Sequence, residues 1–378
     1  MKWVPIWQHN CNDFSTLPFR MEELTQIVQV TTNVSGIALR LHLTNLHGKS
    51  ELVFQKLEFS FDETFHVKHE ITLHGTATIK IPAGSRVITD PLKVAVHTGQ
   101  RLFFRLSSSE PQNYLDFANT YDTTLTNAGM IRKADKLPRL RKSFTARRGW
   151  FCLEQIEFWT AAQPKTILFT GDSLIEMGLI TDSLTALLNR AFPEKVVTLN
   201  SGISGNRLLH DAPTDELLYQ TFGQGLLHRL PDLLEIQPEL VFVLAGGNDL
   251  ILPLLSLQAG KQKVTAPELL AGVTELQQLV SKNNGTLLLG DLLPFRLGHS
   301  NQVKLQTADY EDAQQTRREF NRLLTAKNYV FHNYFVADAQ GQLSSTYDLG
   351  DHMHVSKAGG IKIAAKLYEK VVRKLELA

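Results

Sequence analysis

Cysteine is nearly missing: Cys11 and Cys152 are the only two in 378 residues. Two thiols cannot make a disulfide framework or a four-thiolate zinc site. An excess of one charge is missing as well, because 39 Lys and Arg stand against 38 Asp and Glu. Nothing global therefore points to nucleic acid or to an anionic membrane surface. No apolar run approaches the ~20 residues of a membrane-spanning helix. The opening stretch from Met1 to Asn10 has one basic residue and a short apolar patch broken by Pro5 and Gln8. It lacks the unbroken apolar segment of a signal peptide, so a cytoplasmic protein with reduced cysteines is expected. Internal repeats and low-complexity segments are absent too. What remains is 43% hydrophobic and 20% charged, an ordinary globular composition. At roughly 100–200 residues per domain the length fits two or three domains.

Up to about Phe158 the chain alternates as β-structure does. In Ile37-Ala38-Leu39-Arg40-Leu41-His42-Leu43 the odd positions are large and apolar, with Arg40 and His42 on the other face. Shorter runs repeat this between Gly, Pro and Asn turns, among them Leu52-Val53-Phe54, Ile79-Lys80-Ile81 and Leu102-Phe103-Phe104-Arg105-Leu106. Many short strands with no long amphipathic helix predict an all-β sandwich or jelly roll over residues 1–160. From Ser107 to Arg148 the alternation loosens. The basic run Arg132 to Lys142 reads there as a solvated loop or linker, with a patch for an anionic partner as the alternative. Trp150 to Phe158 is expected as a last strand, and Ala161-Ala162-Gln163-Pro164 as the hinge.

A different grammar begins at Lys165. Thr166-Ile167-Leu168-Phe169-Thr170 and Leu240-Val241-Phe242-Val243-Leu244 are continuous apolar runs, expected of strands buried on both faces. Strands at Lys195–Leu199 and Thr286–Leu289 alternate with helical stretches, including one over Ala266–Lys282. This predicts a three-layer α/β domain over residues 165–378. It closes with an amphipathic helix whose stripe is Ile361, Ala364, Leu367, Val371 and Leu375.

Chemistry in an open α/β sheet gathers at the carboxyl ends of the strands. Four blocks lie there: Gly171-Asp172-Ser173-Leu174, Asn200 to Arg207, Gly246-Gly247-Asn248-Asp249 and Asp351-His352-Met353-His354. A serine hydroxyl is a weak nucleophile and needs a base near neutrality, which histidine supplies. His354 can serve Ser173, and Asp351 can orient the far ring nitrogen. An oxyanion needs donors fixed in advance. The backbone N–H of Ser173, that of Gly205 and the Asn248 amide are the candidates.

These blocks resemble those of the SGNH, or GDSL, hydrolases. That resemblance implies a flavodoxin-like α/β/α catalytic domain with a mostly parallel sheet. Carried over position by position, it implies Ser173, Asp351 and His354 as catalytic residues, with Ser173, Gly205 and Asn248 as the oxyanion hole. Gly202 competes with Gly205, which fits the family's Asn-x-x-x-Ser-Gly pattern from Asn200. Thr25-Gln26-Ile27-Val28, Gly36, Arg40, Leu43-Thr44-Asn45, Gly48 and Ile79 to Gly84 are similar to the β domain of a two-domain subgroup. The final block departs from the pattern, reading Asp351-His352-Met353-His354 where the subgroup usually has Asp-Gly-x-His followed by Pro.

The implied activity is that of a serine esterase acting on short-chain or acetyl esters, including those on carbohydrate. Two alternatives stand beside it: a lipase or lysophospholipase for longer acyl chains, and an inactive glycan-binding protein. Neither a cofactor nor a metal is expected. His352 and His354 with Asp351 lack the further ligand that a zinc hydrolase requires. Gly223-Gln224-Gly225 is expected to be a plain turn, and Asp172 and Asp249 to hold loop N–H groups. Phe54, Phe59, Phe103 and Phe104 are expected in the core. Trp3, Trp7 and Trp150 are candidates for surface contacts. Small-molecule or carbohydrate esters are the expected partners, without nucleic acid or membrane insertion.

Overall fold

The computed structural model describes residues 1–297 and 307–377. Its contacts divide the chain into two compact units, Met1–Lys165 with Thr185–Asn200, and Thr166–Leu184 with Ser201–Ala378.

Antiparallel strands build the first unit. In one five-stranded sheet Gly36–Asn45 pairs with Leu153–Thr160 and with both Ser85–Ile88 and Leu92–Val96. Lys2–Gln8 adds itself beside Leu153–Thr160. A second sheet runs in the order Thr126–Ile131, Leu24–Thr31, Arg101–Ser108, Lys56–Ser60 and His69–Glu70. Leu39, Leu41 and Leu43 of the first sheet share one buried core with Val28, Leu102, Phe104 and Leu106 of the second. Each such side chain contributes roughly 1.5–3 kcal/mol when fully buried. Alternation begins only at Leu39, because Ile37 is 55% exposed and Ala38 is buried.

Three expectations change here. The strand from Trp150 to Phe158 is two strands, Arg148–Phe151 and Leu153–Thr160, separated by Cys152 at φ +67°. The stretch after Ser107 holds three strands, Gln112–Tyr114, Asp116–Thr120 and Thr126–Ile131. Their pattern is hidden because Asp116, Asn119, Thr120 and Asn127 are polar yet buried. Asp116 shows how such burial is tolerated, accepting from the Thr44 hydroxyl at 2.7 Å and from the N–H groups of Leu46 and His47. Trp7 and Trp150 are core residues, their indole N–H groups donating to Thr126 Oγ1 and the Leu153 carbonyl. Trp3 alone of the three stays half-buried, with the Arg40 guanidinium 4.4 Å from its ring centre. Phe54, Phe59, Phe103 and Phe104 are all buried, and Cys11 and Cys152 are buried free thiols.

The second unit is α/β. The parallel sheet is ordered Val196–Gly202, Lys165–Gly171, Leu240–Leu244, Thr286–Gly290 and Val330–Phe331, with the last four paired in parallel. Counted along the chain that is 2-1-3-4-5, the flavodoxin-like order. Leu240–Leu244 is buried throughout, which explains its unbroken apolar run. The helix Ala266–Lys282 starts at a capping box, in which Thr265 and Glu268 satisfy each other's backbone N–H. The last helix is Lys357–Lys374, capped by Ser356. Its buried stripe holds Ala364, Leu367 and Val371, but Ile363 takes the inward place expected of Ile361, which is 52% exposed. No described helix is long and apolar enough to cross a membrane.

Candidate active site

Ser173 follows the strand Lys165–Gly171 and opens the helical turn Ser173–Glu176. Asp172 caps that turn, its carboxylate accepting from Leu174 N–H at 2.9 Å. Burial pushes the Asp172 carboxyl up to about 7, against the opposing pull of that N–H and of His354.

Ser173 Oγ lies 2.7 Å from His354 Nε2, and His354 Nδ1 lies 2.6 Å from Asp351 Oδ2. The other Asp351 oxygen accepts from the backbone N–H of Met353 and of His354. One carboxylate thus fixes both the loop and the ring. Burial pulls the His354 pKa down, but the hydrogen bond and charge of Asp351, helped by Asp172 and Asp348, hold it above 6.5. Burial raises Asp351, yet the same imidazole and two N–H groups bring it to about 2. Serine, histidine and aspartate are therefore in hydrogen-bonded line, and the imidazole can take a proton from the hydroxyl.

Asn248 lies on the turn Gly247–Ile251, and its amide donates to the Asn206 carbonyl at 3.0 Å. That contact places Asn248 beside the loop that contains Gly205. The two competing glycines differ. At Gly202 a Cβ would come within 2.4 Å of Glu176 N, so this glycine lets the turn after Ser173 pack closely. Gly205 stands at φ +77°, turning the loop just before Asn206. Among the described residues neither Ser173 nor Gly205 donates its backbone N–H to a protein acceptor. Asp249 accepts from Leu208 and Leu209 N–H, and burial lifts its carboxyl to about 6 against those bonds.

Three buried polar residues that the sequence reading left out support these loops. Arg229 donates to the Gly171 carbonyl, the Ser201 carbonyl and Asn206 Oδ1 at 3.0, 2.8 and 3.1 Å. Asn206 in turn donates to the carbonyls of Phe222 and Gln224. Glu176, fully buried, accepts from the Ser204 hydroxyl. Burial lowers the Arg229 pKa to about 9, with the charge of Glu176 opposing it. A signal existed in the sequence: Arg229 occupies an inward place among Leu226 and Leu230 on the helix Leu226–Leu233, where a charge is unexpected.

The block's departure also has a place. His352 adopts φ +62°, a left-handed conformation that favours glycine. Asp348 holds its N–H at 3.0 Å and its Nδ1 at 2.6 Å, while Arg296 donates to its Nε2 at 2.7 Å. His352 thus faces Asp348 and Arg296 and shares no ligand with His354. Among the described residues no three His, Cys, Asp or Glu side chains are grouped to hold a metal ion.

Serine, histidine and aspartate in line beside a flavodoxin-like sheet are an arrangement suited to nucleophilic hydrolysis. The chain belongs to the GDSL-like lipase/acylhydrolase family, whose model matches residues 169–360. Among solved structures it is similar to a GDSL-like lipase from Bacteroides thetaiotaomicron, at 17% identity and a TM-score of 0.38, covering 56% of this chain and 88% of that one. It is similar to a carbohydrate acetylesterase family member from Sinorhizobium meliloti, at 17% identity and TM-score 0.41, over 56% of this chain and 99% of that one. The psychrotrophic esterase EstA from Pseudoalteromonas sp. gives 19% identity, TM-score 0.38, and coverage of 56% and 99%. No curated protein sequence matches the chain.

Proposed function

We propose that this enzyme is a serine esterase that works through an acyl-enzyme on Ser173. The observation that carries the proposal is the continuous line from Asp351 through His354 to Ser173 Oγ, with both contacts at 2.6–2.7 Å. In it His354 Nε2 removes the hydroxyl proton as the oxygen attacks an ester carbonyl. Asp351 keeps Nδ1 protonated and stabilises the imidazolium. The tetrahedral oxyanion is held by the N–H groups of Ser173 and Gly205 and by the second Asn248 amide proton. The imidazolium returns its proton to the leaving alcohol, and the same histidine then activates water to release the acid.

The proposed substrates are short-chain or acetyl esters, with carbohydrate acetates foremost, and the proposed catalytic domain is residues 165–378 behind a β domain of residues 1–160. Longer acyl chains are the second reading. Leu217, Leu218 and Leu257 favour it, being 56%, 54% and 89% exposed, and the hydrogen bonds of Asp215 to Ser256 and of Thr214 to Gln258 tie their two segments together. Nitrophenyl esters of rising chain length, run on wild type beside Ser173→Ala, test both. Activity greatest on acetate and absent from Ser173→Ala is expected. A maximum at long chains selects the second reading, and undiminished activity in folded Ser173→Ala overturns the mechanism.

A further inference from the structure

The β unit contains a cavity of about 650 Å³ whose lining includes Arg139, Arg141, Arg147 and Arg148 and not one acidic residue. Other arginines of that unit do meet carboxylates: Arg40 meets Glu157, Arg86 meets Glu154 and Arg105 meets Glu58. The four cavity arginines have no side-chain hydrogen bond or carboxylate partner among the described residues. Arg148 Nε is buried there without any acceptor. Four guanidinium groups facing one cavity with no carboxylate among its lining give it a positive potential that favours an anion. The remaining lining is apolar. Phe19 stacks on Phe117 with ring centres 4.8 Å apart, and Met130 and Leu137 lie beside them. Strand backbone from Thr126–Ile131 and Arg148–Phe151 frames one side of the site, and Arg139, Arg141 and Arg147 lie on the segment between those strands.

We propose that this cavity binds a short acidic oligosaccharide, with the arginines on its carboxylates and the apolar lining against its sugar rings. Planar guanidinium forks match carboxylates in a bidentate fashion, and C–H faces of sugars suit aromatic and aliphatic side chains. A nucleic acid is disfavoured because the charge is confined to one cavity of small-molecule size and does not form a track along which a phosphate backbone could run. The inference concerns the β unit alone and is independent of the ester chemistry.

The test uses the full chain carrying Ser173→Ala, so that hydrolysis cannot consume the probe. Calorimetric titration compares trigalacturonate with xylotriose, inorganic phosphate and oligothymidylate. Binding of trigalacturonate that weakens with added salt, and no binding of xylotriose, is expected. Arg141→Gln and Arg147→Gln, both at exposed positions and so compatible with folding, should each weaken it by about tenfold or more. No binding of trigalacturonate overturns the proposal. So does equal binding of xylotriose, phosphate or oligothymidylate, or affinity unchanged in both variants. Esterase activity measured in the same arginine variants on the Ser173 background should stay as in wild type with nitrophenyl acetate, which separates this site from the catalytic one.

Discussion

Ser173 Oγ and His354 Nε2 are 2.7 Å apart although 181 residues separate them in the chain. One sits on the turn after the sheet's first strand in chain order, and the other on the loop before the last helix. Proton transfer between them requires a neutral imidazole. Since His354 is held above 6.5, the acid limb of kcat/KM is expected above that pH. Asp351→Asn removes the charge that raises it, so the limb should move to lower pH while kcat falls on the order of 10³–10⁴-fold. A pH–rate profile on nitrophenyl acetate checks both, and a limb that stays in place contradicts the assigned pairing.

The same pair bears on stability. Because the folded pKa of His354 is raised, its contribution is fully present below 6.5 and is lost as pH rises through the folded value. Asp351 behaves oppositely, contributing above its ordinary 3.8 and losing that contribution as pH falls toward 2. Thermal unfolding of wild type and His354→Ala should therefore differ most below the raised histidine pKa and above that of Asp351. A difference that grows toward alkaline pH would refute the linkage.

Asn248→Ala removes an amide that already spends one proton on the Asn206 carbonyl. Loss of one oxyanion donor typically lowers kcat by about 10²–10³-fold, with KM nearly unchanged. Steady-state kinetics on a variant of native circular dichroism decides the matter, and a normal kcat would remove Asn248 from the mechanism.

Arg229→Met should act on folding first. It deletes three hydrogen bonds that hold the Gly171 and Ser201 carbonyls and Asn206 Oδ1. Leaving a buried acceptor without its donor typically costs about 1–3 kcal/mol. Urea unfolding measures this, and a variant as stable as wild type would contradict it.

At His352 two effects oppose each other. Glycine would relieve a left-handed residue, worth roughly 1–2 kcal/mol, but would forfeit the side-chain bonds to Asp348 and Arg296. His352→Gly should thus keep a Tm near wild type, whereas His352→Val, β-branched at φ +62°, should lower it clearly. Differential scanning calorimetry of the two variants distinguishes strain from side-chain anchoring.

The α/β half was the more legible in sequence because strands buried on both faces carry unbroken apolar runs, as Leu240–Leu244 does. The helix Ala266–Lys282 was legible from its own capping residues. In the β half, strands built on Asp116, Asn119 and Asn127 escaped notice, because buried polar residues satisfied by hydrogen bonds leave no alternation to read. The candidate triad was visible as residue types in four blocks. Of its supports, Arg229 is marked as a charge on the apolar face of its helix, but Asn206 and Glu176 are not, since a polar residue whose partners are distant carbonyls or hydroxyls looks like any surface residue.

Local chemistry in the sequence determined which residue types stand at the strand ends, and with them the family. Apolar patterning also determined that a β half precedes an α/β half. Tertiary structure alone decided that Ser173, His354 and Asp351 fall in one hydrogen-bonded line, that Gly202 serves packing while Gly205 turns the loop, and that the arginines of residues 139–148 line one cavity with Phe19 and Phe117. Those outcomes depend on distances between segments far apart in the chain, and distance across a fold is set by packing rather than by neighbouring residues.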